Sequence, residues 1–206
     1  GIEYWDTSKV IDMNSMFYNC EELEILDINF LTSNVNNMSF MFYNCYAIND
    51  LNLNVFNTKN VKSMSNMFYN CQNLTYLNLT LFNTEKVEQM DSMFYQCKNL
   101  EYINFSLNFK TSKINNMGQM FQGCSKLSYL DLSSFNTSIV SNMKNMFYDC
   151  SSLTSLIFSS NFITSEVTNM ESMFANCKKI KNLNLSKFTI PKVENMKNMF
   201  TNCSLL

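Results

Sequence analysis

Apolar and polar residues follow a pattern that returns about every 26 residues along the chain. In the unit formed by residues 72–97, Leu74, Leu77 and Leu79 make the motif L-x-x-L-x-L, which ends in alternation of apolar and polar positions. Alternation with a period of two is typical of a β-strand that buries one face. The first half of the unit therefore predicts a short strand.

The second half of the unit has a different period. Val87, Met90, Met93 and Phe94 are spaced i, i+3, i+6 and i+7, which at about 100° per residue places them on one side of an α-helix. A threonine three residues before the valine suits a helix N-cap, and the Asn, Asp or Gly before seven of the eight cysteines suits a left-handed helix end, with Gln96 as the exception. We therefore predict a short helix in each unit. The threonines are Thr7, Thr32, Thr58, Thr84, Thr111, Thr137 and Thr164.

The motif Met-Phe-x-x-Cys occurs eight times and fixes the division of the chain into repeats. After a partial repeat at 1–20, the full repeats are 21–45, 46–71, 72–97, 98–124, 125–150, 151–177 and 178–203, and 204–206 begin another. One unit cannot cover its own leucines, but neighbouring units stacked about 4.8 Å apart can. We predict a single α/β solenoid over 1–206, with one short parallel strand and one short helix per repeat.

The outer face of the predicted strands is the candidate binding surface. If Leu77 and Leu79 point inward, their neighbours Tyr76 and Asn78 point outward, and the next repeats supply equivalent pairs. Tyr and Asn are common in binding surfaces because they combine apolar area with hydrogen bonding at low entropic cost. Stacked Tyr and Asn can also stabilise a parallel ladder without any ligand. The candidate binding residues are Tyr76, Asn78, Tyr102, Asn104, Tyr129 and Asp131.

All eight cysteines occupy one repeat position and should form a column. Parallel side chains about 4.8 Å apart are too distant for the Cβ separation of about 3.8 Å that disulfides prefer. Buried thiols are therefore the favoured interpretation, with some bridges as the alternative, and a single column offers no converging ligands for a metal. The structural cysteine column consists of Cys20, Cys45, Cys71, Cys97, Cys124, Cys150, Cys177 and Cys203.

Composition narrows the function classes. The net charge is −2, and the chain has neither histidine nor arginine, so we expect no nucleic-acid partner. No glycine-rich phosphate loop or nucleophile elbow occurs, and no site groups an acid, a base and a nucleophile. We therefore predict no enzymatic activity, no catalytic residues and no cofactor. No apolar run approaches the roughly 18 residues of a membrane span.

The combined motif C-x-x-L-x-x-L-x-L and V-x-x-M-x-x-M-F-x-x-C resembles the BspA-like leucine-rich repeats. The similarity is greatest to the repeats of mycoplasma-type and lactic-acid-bacterial surface lipoproteins, and it covers essentially the whole chain. The resemblance implies a leucine-rich-repeat-type solenoid at the cell surface or outside the cell. It also implies binding of a protein or glycan partner and no conserved catalytic residues.

The first functional hypothesis is accordingly a binding or adhesion module of a surface protein. Two alternatives remain open. Because the chain begins and stops within incomplete repeats, we expect it to be part of something longer, and end-to-end self-association could make it a structural or filament-forming spacer. Unpaired thiols would instead suit an intracellular protein-interaction scaffold.

Overall fold

The computed structural model describes residues 1–206 as a single column of stacked repeats. We call the seven full repeats rungs 1–7 in chain order. The helix and strands are a 3-10 helix Ile2–Tyr4 and β1 Ile25–Leu26, β2 Asp50–Leu51, β3 Tyr76–Leu79, β4 Tyr102–Phe105, β5 Tyr129–Leu132 and β6 Ser155–Phe158. Rungs 1–6 each contribute one strand, as predicted, and rung 7 contributes none.

The strands pair as three parallel doublets, β1 with β2, β3 with β4, and β5 with β6. In the second doublet Tyr76 lies opposite Tyr102 and Leu77 lies opposite Ile103, so equivalent repeat positions are in register. Leu77 and Leu79 are buried, whereas Tyr76 is exposed. The alternation in the sequence therefore assigns the two faces of this strand correctly.

The predicted helix is wrong, because Gln89 makes an isolated parallel bridge with Ser63 and residues 91–96 form consecutive turns instead. The N–H of Phe94 donates to the carbonyl of Met120 in the next rung (3.0 Å), and the N–H of Cys97 donates back to Phe94 (3.3 Å). Ser92 and Gln96 have φ values of 54° and 56°, a left-handed conformation that an α-helix cannot include. Alternate N–H groups thus bind the neighbouring rung rather than the residue four positions back.

The apolar side chains of this segment still converge on the core. Met90, Met93 and Phe94 have no exposed surface, because a run of three-residue turns also returns positions i and i+3 to the same side. The phenylalanine rings stack from rung to rung, with centroids 5.8 Å apart for Phe68 and Phe94 and 5.4 Å apart for Phe94 and Phe121. The rungs therefore share one continuous core.

The threonines expected to cap helices instead join neighbouring rungs. The Thr111 hydroxyl donates to the carbonyl of Asn136 (2.7 Å) and accepts the N–H of the same residue (2.8 Å). Thr58 makes the equivalent pair with Asn83, at 2.9 and 2.8 Å. Each of the seven threonines is at most 4% exposed. Their hydroxyls therefore satisfy backbone groups of the next rung along the chain.

Candidate functional site

The three candidate tyrosines lie on the outer face of consecutive strands. Their side chains are 48%, 43% and 36% exposed for Tyr76, Tyr102 and Tyr129. The rings of Tyr76 and Tyr102 stack with centroids 5.8 Å apart and planes within 1° of parallel. Partial burial raises the pKa of Tyr129, and the nearby Asp131 carboxylate raises it further. The stacked rings of Tyr76 and Tyr102 thus present an ordered aromatic surface to the solvent.

The polar candidates partly serve the backbone of their own strand ends. The Oδ1 atom of Asn78 accepts the N–H of Thr80 (3.1 Å), and Oδ1 of Asp131 accepts the N–H of Ser133 (2.8 Å). These Asx turns leave the Nδ2 group of Asn78 and the second carboxylate oxygen of Asp131 available for other partners. Asn104 makes no such turn, so its side-chain amide is not committed to the strand end.

A cleft separates the second doublet from the third. It has a volume of about 130 Å³, and Tyr102, Asn104, Tyr129 and Asp131 are among its lining residues. The hydroxyl of Ser134 also lies in its wall and is buried without a hydrogen-bond partner. The cleft therefore brings together four of the six candidate residues next to an unsatisfied hydroxyl.

The other two candidates line a second cleft, between the first doublet and the second. This cleft has a volume of about 460 Å³ and includes Tyr76 and Asn78 in its wall. The paired strands β3 and β4 separate the two clefts. The six residues therefore form one surface with two depressions rather than one pocket, an arrangement suited to an extended partner.

Sequence reasoning did not anticipate the serines that hold the longer loops beside this surface. Rungs 4 and 6 each have 27 residues. In rung 4 the Ser106 hydroxyl donates to the carbonyl of Phe82 (2.6 Å) and accepts the N–H of Asn108 (3.0 Å). Ser159 bonds to the carbonyl of Phe135 in the same way in rung 6. The sequence did contain a signal for these contacts, because a serine directly follows the strand in both 27-residue repeats.

The cysteine column lies inside the stack, and all eight thiols are free. Each thiol from Cys45 onward donates to the carbonyl of a phenylalanine more than one full repeat earlier, as Cys97 does to Phe68 (3.1 Å). Cys20 and Cys203 are half-buried, and the other six are buried. Since six of these thiols are buried and hydrogen-bonded, their reduced state does not discriminate between an intracellular and an extracellular setting.

Burial raises the pKa of the Cys97 thiol to about 12. An unfolded cysteine ionises near pH 8.5, so between about pH 8.5 and pH 12 the folded state holds a proton that the unfolded state has lost. The contribution of this thiol to stability is full below that window and is lost as the pH rises through it. We expect the free energy of unfolding to fall by up to about 1.4 kcal/mol per pH unit for each such thiol.

Urea denaturation measured at intervals between about pH 8.5 and pH 10.5 tests this expectation. A Cys97→Ala variant is the control, since it lacks one of the buried thiols. Its slope of free energy against pH should be shallower by about 1.4 kcal/mol per pH unit. Identical slopes for the two proteins would contradict the assignment of a strongly raised pKa to Cys97.

A second tyrosine column follows the Met-Phe pairs, and its rings stack on one another. Tyr18, Tyr43, Tyr69 and Tyr95 have successive ring centroids 4.7, 4.4 and 4.2 Å apart. Burial is the main cause that raises the pKa of Tyr69 above its ordinary value. Gln122 occupies the equivalent position in rung 4 and ends the run. The close ring contacts support a structural role for this column.

Three solved structures of bacterial proteins are similar to this chain. A leucine-rich repeat protein from Eubacterium ventriosum is 17% identical, with a TM-score of 0.55 over 84% of this chain and 42% of that one. A leucine-rich repeat protein from Bacteroides ovatus is 18% identical (TM-score 0.46, 96% of this chain and 57% of that one). A leucine-rich cell surface protein from Faecalibacterium prausnitzii is 17% identical (TM-score 0.37, 94% and 68%).

The first of these structures supports the leucine-rich-repeat solenoid, and the chain spans less than half of its length. No helix of the chain has the length and apolar character to cross a bilayer. None of the curated proteins matches the sequence. The family model described as "Mycoplasma protein of unknown function, DUF285" matches residues 1–106 and 101–206. The chain is therefore a leucine-rich-repeat solenoid that belongs to the DUF285 family.

Proposed function

We propose that the chain is a non-enzymatic binding module that engages a protein or glycan at a cell surface. The strand face formed by Tyr76, Asn78, Tyr102, Asn104, Tyr129 and Asp131 is the proposed contact surface. The observation that carries the proposal is the line of exposed tyrosine rings beside the two clefts. The surface location rests on the resemblance to BspA-like repeats.

The side chains of this surface are held in place before any partner arrives, and this favours binding. Because the rings of Tyr76 and Tyr102 already stack 5.8 Å apart, a partner would immobilise little additional side-chain freedom. Tyrosine contributes apolar area and a hydroxyl group from a side chain with few rotatable bonds. The underlying backbone is fixed by the four-residue pairing of β3 with β4. The surface is thus preorganised in the way that rigid paratopes are.

The chemistry of the face suits an uncharged, hydrogen-bonding partner. Asn78 and Asn104 contribute amides, the tyrosines contribute hydroxyls, and Asp131 is the one carboxylate among the six residues. Aromatic faces beside short polar groups can contact either the apolar face of a sugar ring or an extended peptide. The two clefts occur on opposite sides of one strand doublet, which favours a partner that extends across several rungs.

We expect simultaneous replacement of Tyr76, Tyr102 and Tyr129 by alanine to weaken partner binding at least about tenfold, because interface tyrosines often contribute more than 1 kcal/mol each. The test begins with arrays of purified extracellular matrix proteins and glycans probed with the unmodified chain. Surface plasmon resonance then compares the dissociation constants of the unmodified chain and the variant for each ligand bound.

A matched control replaces Leu31, Leu81 and Ile139 by alanine. These side chains are 58%, 59% and 47% exposed, so the control removes a comparable exposed apolar area outside the candidate set. It should retain the affinity of the unmodified chain. The proposal is contradicted if no array member binds, or if the tyrosine variant binds a confirmed ligand with unchanged affinity while remaining folded.

A further inference from the structure

The cleft between β4 and β5 has a tyrosine on each of its two walls, whereas the cleft that precedes β3 contains Tyr76 alone. One face of the Tyr102 ring stacks on Tyr76 at 5.8 Å, so its other face is turned toward Tyr129 in the next rung. The strands β4 and β5 are not hydrogen-bonded to each other, and a volume of about 130 Å³ is open between them. We call this space, between Tyr102 and Tyr129, the tyrosine slot.

Asp131 places a carboxylate in the wall of the tyrosine slot, and the chain supplies no positive charge to it. None of the three ion pairs of the structure includes Asp131, and no lysine lines the slot. One carboxylate oxygen accepts the N–H of Ser133 (2.8 Å), which leaves the second oxygen free. Because Asp131 is partly buried, water screens its charge less than that of a fully exposed carboxylate. The slot therefore attracts a positively charged group.

Two further oxygen atoms of the slot can accept hydrogen bonds. The Ser134 hydroxyl is buried without a partner, and a bound donor would offset the cost of leaving it unsatisfied. The side-chain amide of Asn104 lines the same slot and is not committed to a strand-end turn. Together with Asp131, these groups favour a ligand that carries several hydrogen-bond donors.

The shape of the slot favours a flat cation. Its volume of about 130 Å³ corresponds to roughly four water molecules at about 30 Å³ each, which is the scale of a group of four heavy atoms. A guanidinium group has four heavy atoms, is planar, stacks on aromatic faces and carries five N–H donors and no acceptor. A lysine ammonium is a compact, strongly hydrated point charge that makes less use of two flat walls.

We propose that the tyrosine slot binds an arginine side chain of a partner protein, with the guanidinium between Tyr102 and Tyr129 and its N–H groups directed at Asp131. The chain contains no arginine, so the group must come from another molecule. This inference rests on the proposed function and deepens it, because it selects a protein as the partner. It also adds one positive group, at the single carboxylate of the strand face, to an otherwise uncharged partner surface.

Nuclear magnetic resonance titration with N-acetyl-L-arginine methylamide tests the slot. We expect a dissociation constant in the millimolar range and shifts of the ring signals of Tyr102 and Tyr129, on which the guanidinium stacks. Tyr18 is 45% exposed in the other tyrosine column and should not shift. The citrulline analogue, whose urea group is uncharged, should bind at least about tenfold more weakly. The lysine analogue should also bind more weakly.

Asp131→Asn removes the charge and keeps an oxygen that can accept the N–H of Ser133, so the local fold is preserved. It should weaken binding of the arginine analogue at least about tenfold. Asp27→Asn is the matched control, because Asp27 occupies the same strand position in rung 1, is exposed and has Ile25 in place of a tyrosine. This control should bind the arginine analogue as the unmodified chain does, and circular dichroism checks the fold of both variants.

The proposal is overturned if the rings of Tyr102 and Tyr129 do not shift at roughly tens of millimolar arginine analogue. It is also overturned if the citrulline or lysine analogue binds as tightly, or if Asp131→Asn and Asp27→Asn have equal effects. The proposed function fails separately. An array ligand that depends on the three tyrosines but binds Asp131→Asn with unchanged affinity would refute the arginine slot alone. Arginine binding that depends on Asp131, with no array member bound, would refute only the proposed function.

Discussion

Replacement of Phe94 by alanine is expected to lower the free energy of unfolding by about 3–5 kcal/mol. Phe94 has no exposed surface and stacks between Phe68 and Phe121, at 5.8 and 5.4 Å. Because the rungs on both sides pack against its ring, the structure cannot collapse into the cavity without breaking the column. Urea denaturation followed by circular dichroism measures the change.

The same substitution at Phe200 provides a control from the same column. Phe200 is 37% exposed and stacks on Phe174 alone, at 5.7 Å. Phe200→Ala should therefore cost less than half as much as Phe94→Ala. Equal losses at the two positions would contradict the claim that burial between two rungs makes Phe94 the more important residue.

Replacement of Thr111 by valine is expected to cost about 2–5 kcal/mol, although the two side chains have nearly the same shape. The hydroxyl of Thr111 both donates to and accepts from the backbone of Asn136, at 2.7 and 2.8 Å. Valine would leave a carbonyl and an N–H group without their partner, and each buried unsatisfied group costs about 1–3 kcal/mol.

Thr111→Ser separates the contribution of the hydroxyl group to stability from that of the methyl group. Serine keeps both hydrogen bonds and loses one methyl group, so its cost should be about 1 kcal/mol. Urea denaturation of both variants gives the comparison. If valine were tolerated better than serine, the threonine would contribute by packing, and its part in joining the rungs would be refuted.

Much of the architecture follows from the sequence because the repeat is so regular. The strands begin within a residue or two of the leucine motifs, as β3 does at Tyr76, and the cysteines occupy one interior column. The left-handed positions were predicted from Asn19 and its equivalents, and the φ values of these residues lie between 57° and 76°. Gln96, which was expected to be the exception, has a φ of 56° and adopts the same conformation. These features could be predicted because they depend on the local preferences of single residues or on the spacing of the repeat.

The helix was predicted wrongly because its spacing fits two conformations. Val87, Met90 and Met93 fall on one side of a helix, and also on one side of a chain of three-residue turns. Threonine is equally ambiguous, since its hydroxyl can cap a helix or bind a neighbouring rung. The discriminating signal was composition, because these segments are rich in Asn and Ser, contain little alanine and have low helix propensity. Pairing with the next rung then outweighs local preference.

The outward-facing residues of the candidate surface could be predicted from the sequence, but the clefts beside them could not. Alternation along β3 places Tyr76 and Asn78 outward, but it does not reveal that the strands pair as doublets. The clefts occur between doublets and therefore depend on how whole rungs are spaced. The Asx turn made by Asp131 also depends on the local path of the backbone after β5.

The central claim is that alternate N–H groups of a Met-Phe segment donate to carbonyls of the next rung and not to the residue four positions back. Solution NMR can observe scalar couplings across hydrogen bonds, from an amide nitrogen to the carbonyl carbon of its acceptor. The structure predicts couplings from Phe68 to Met93, from Phe94 to Met120 and from Phe121 to Met146. Couplings from each amide to the carbonyl four residues earlier would show a helix in every repeat and contradict the account.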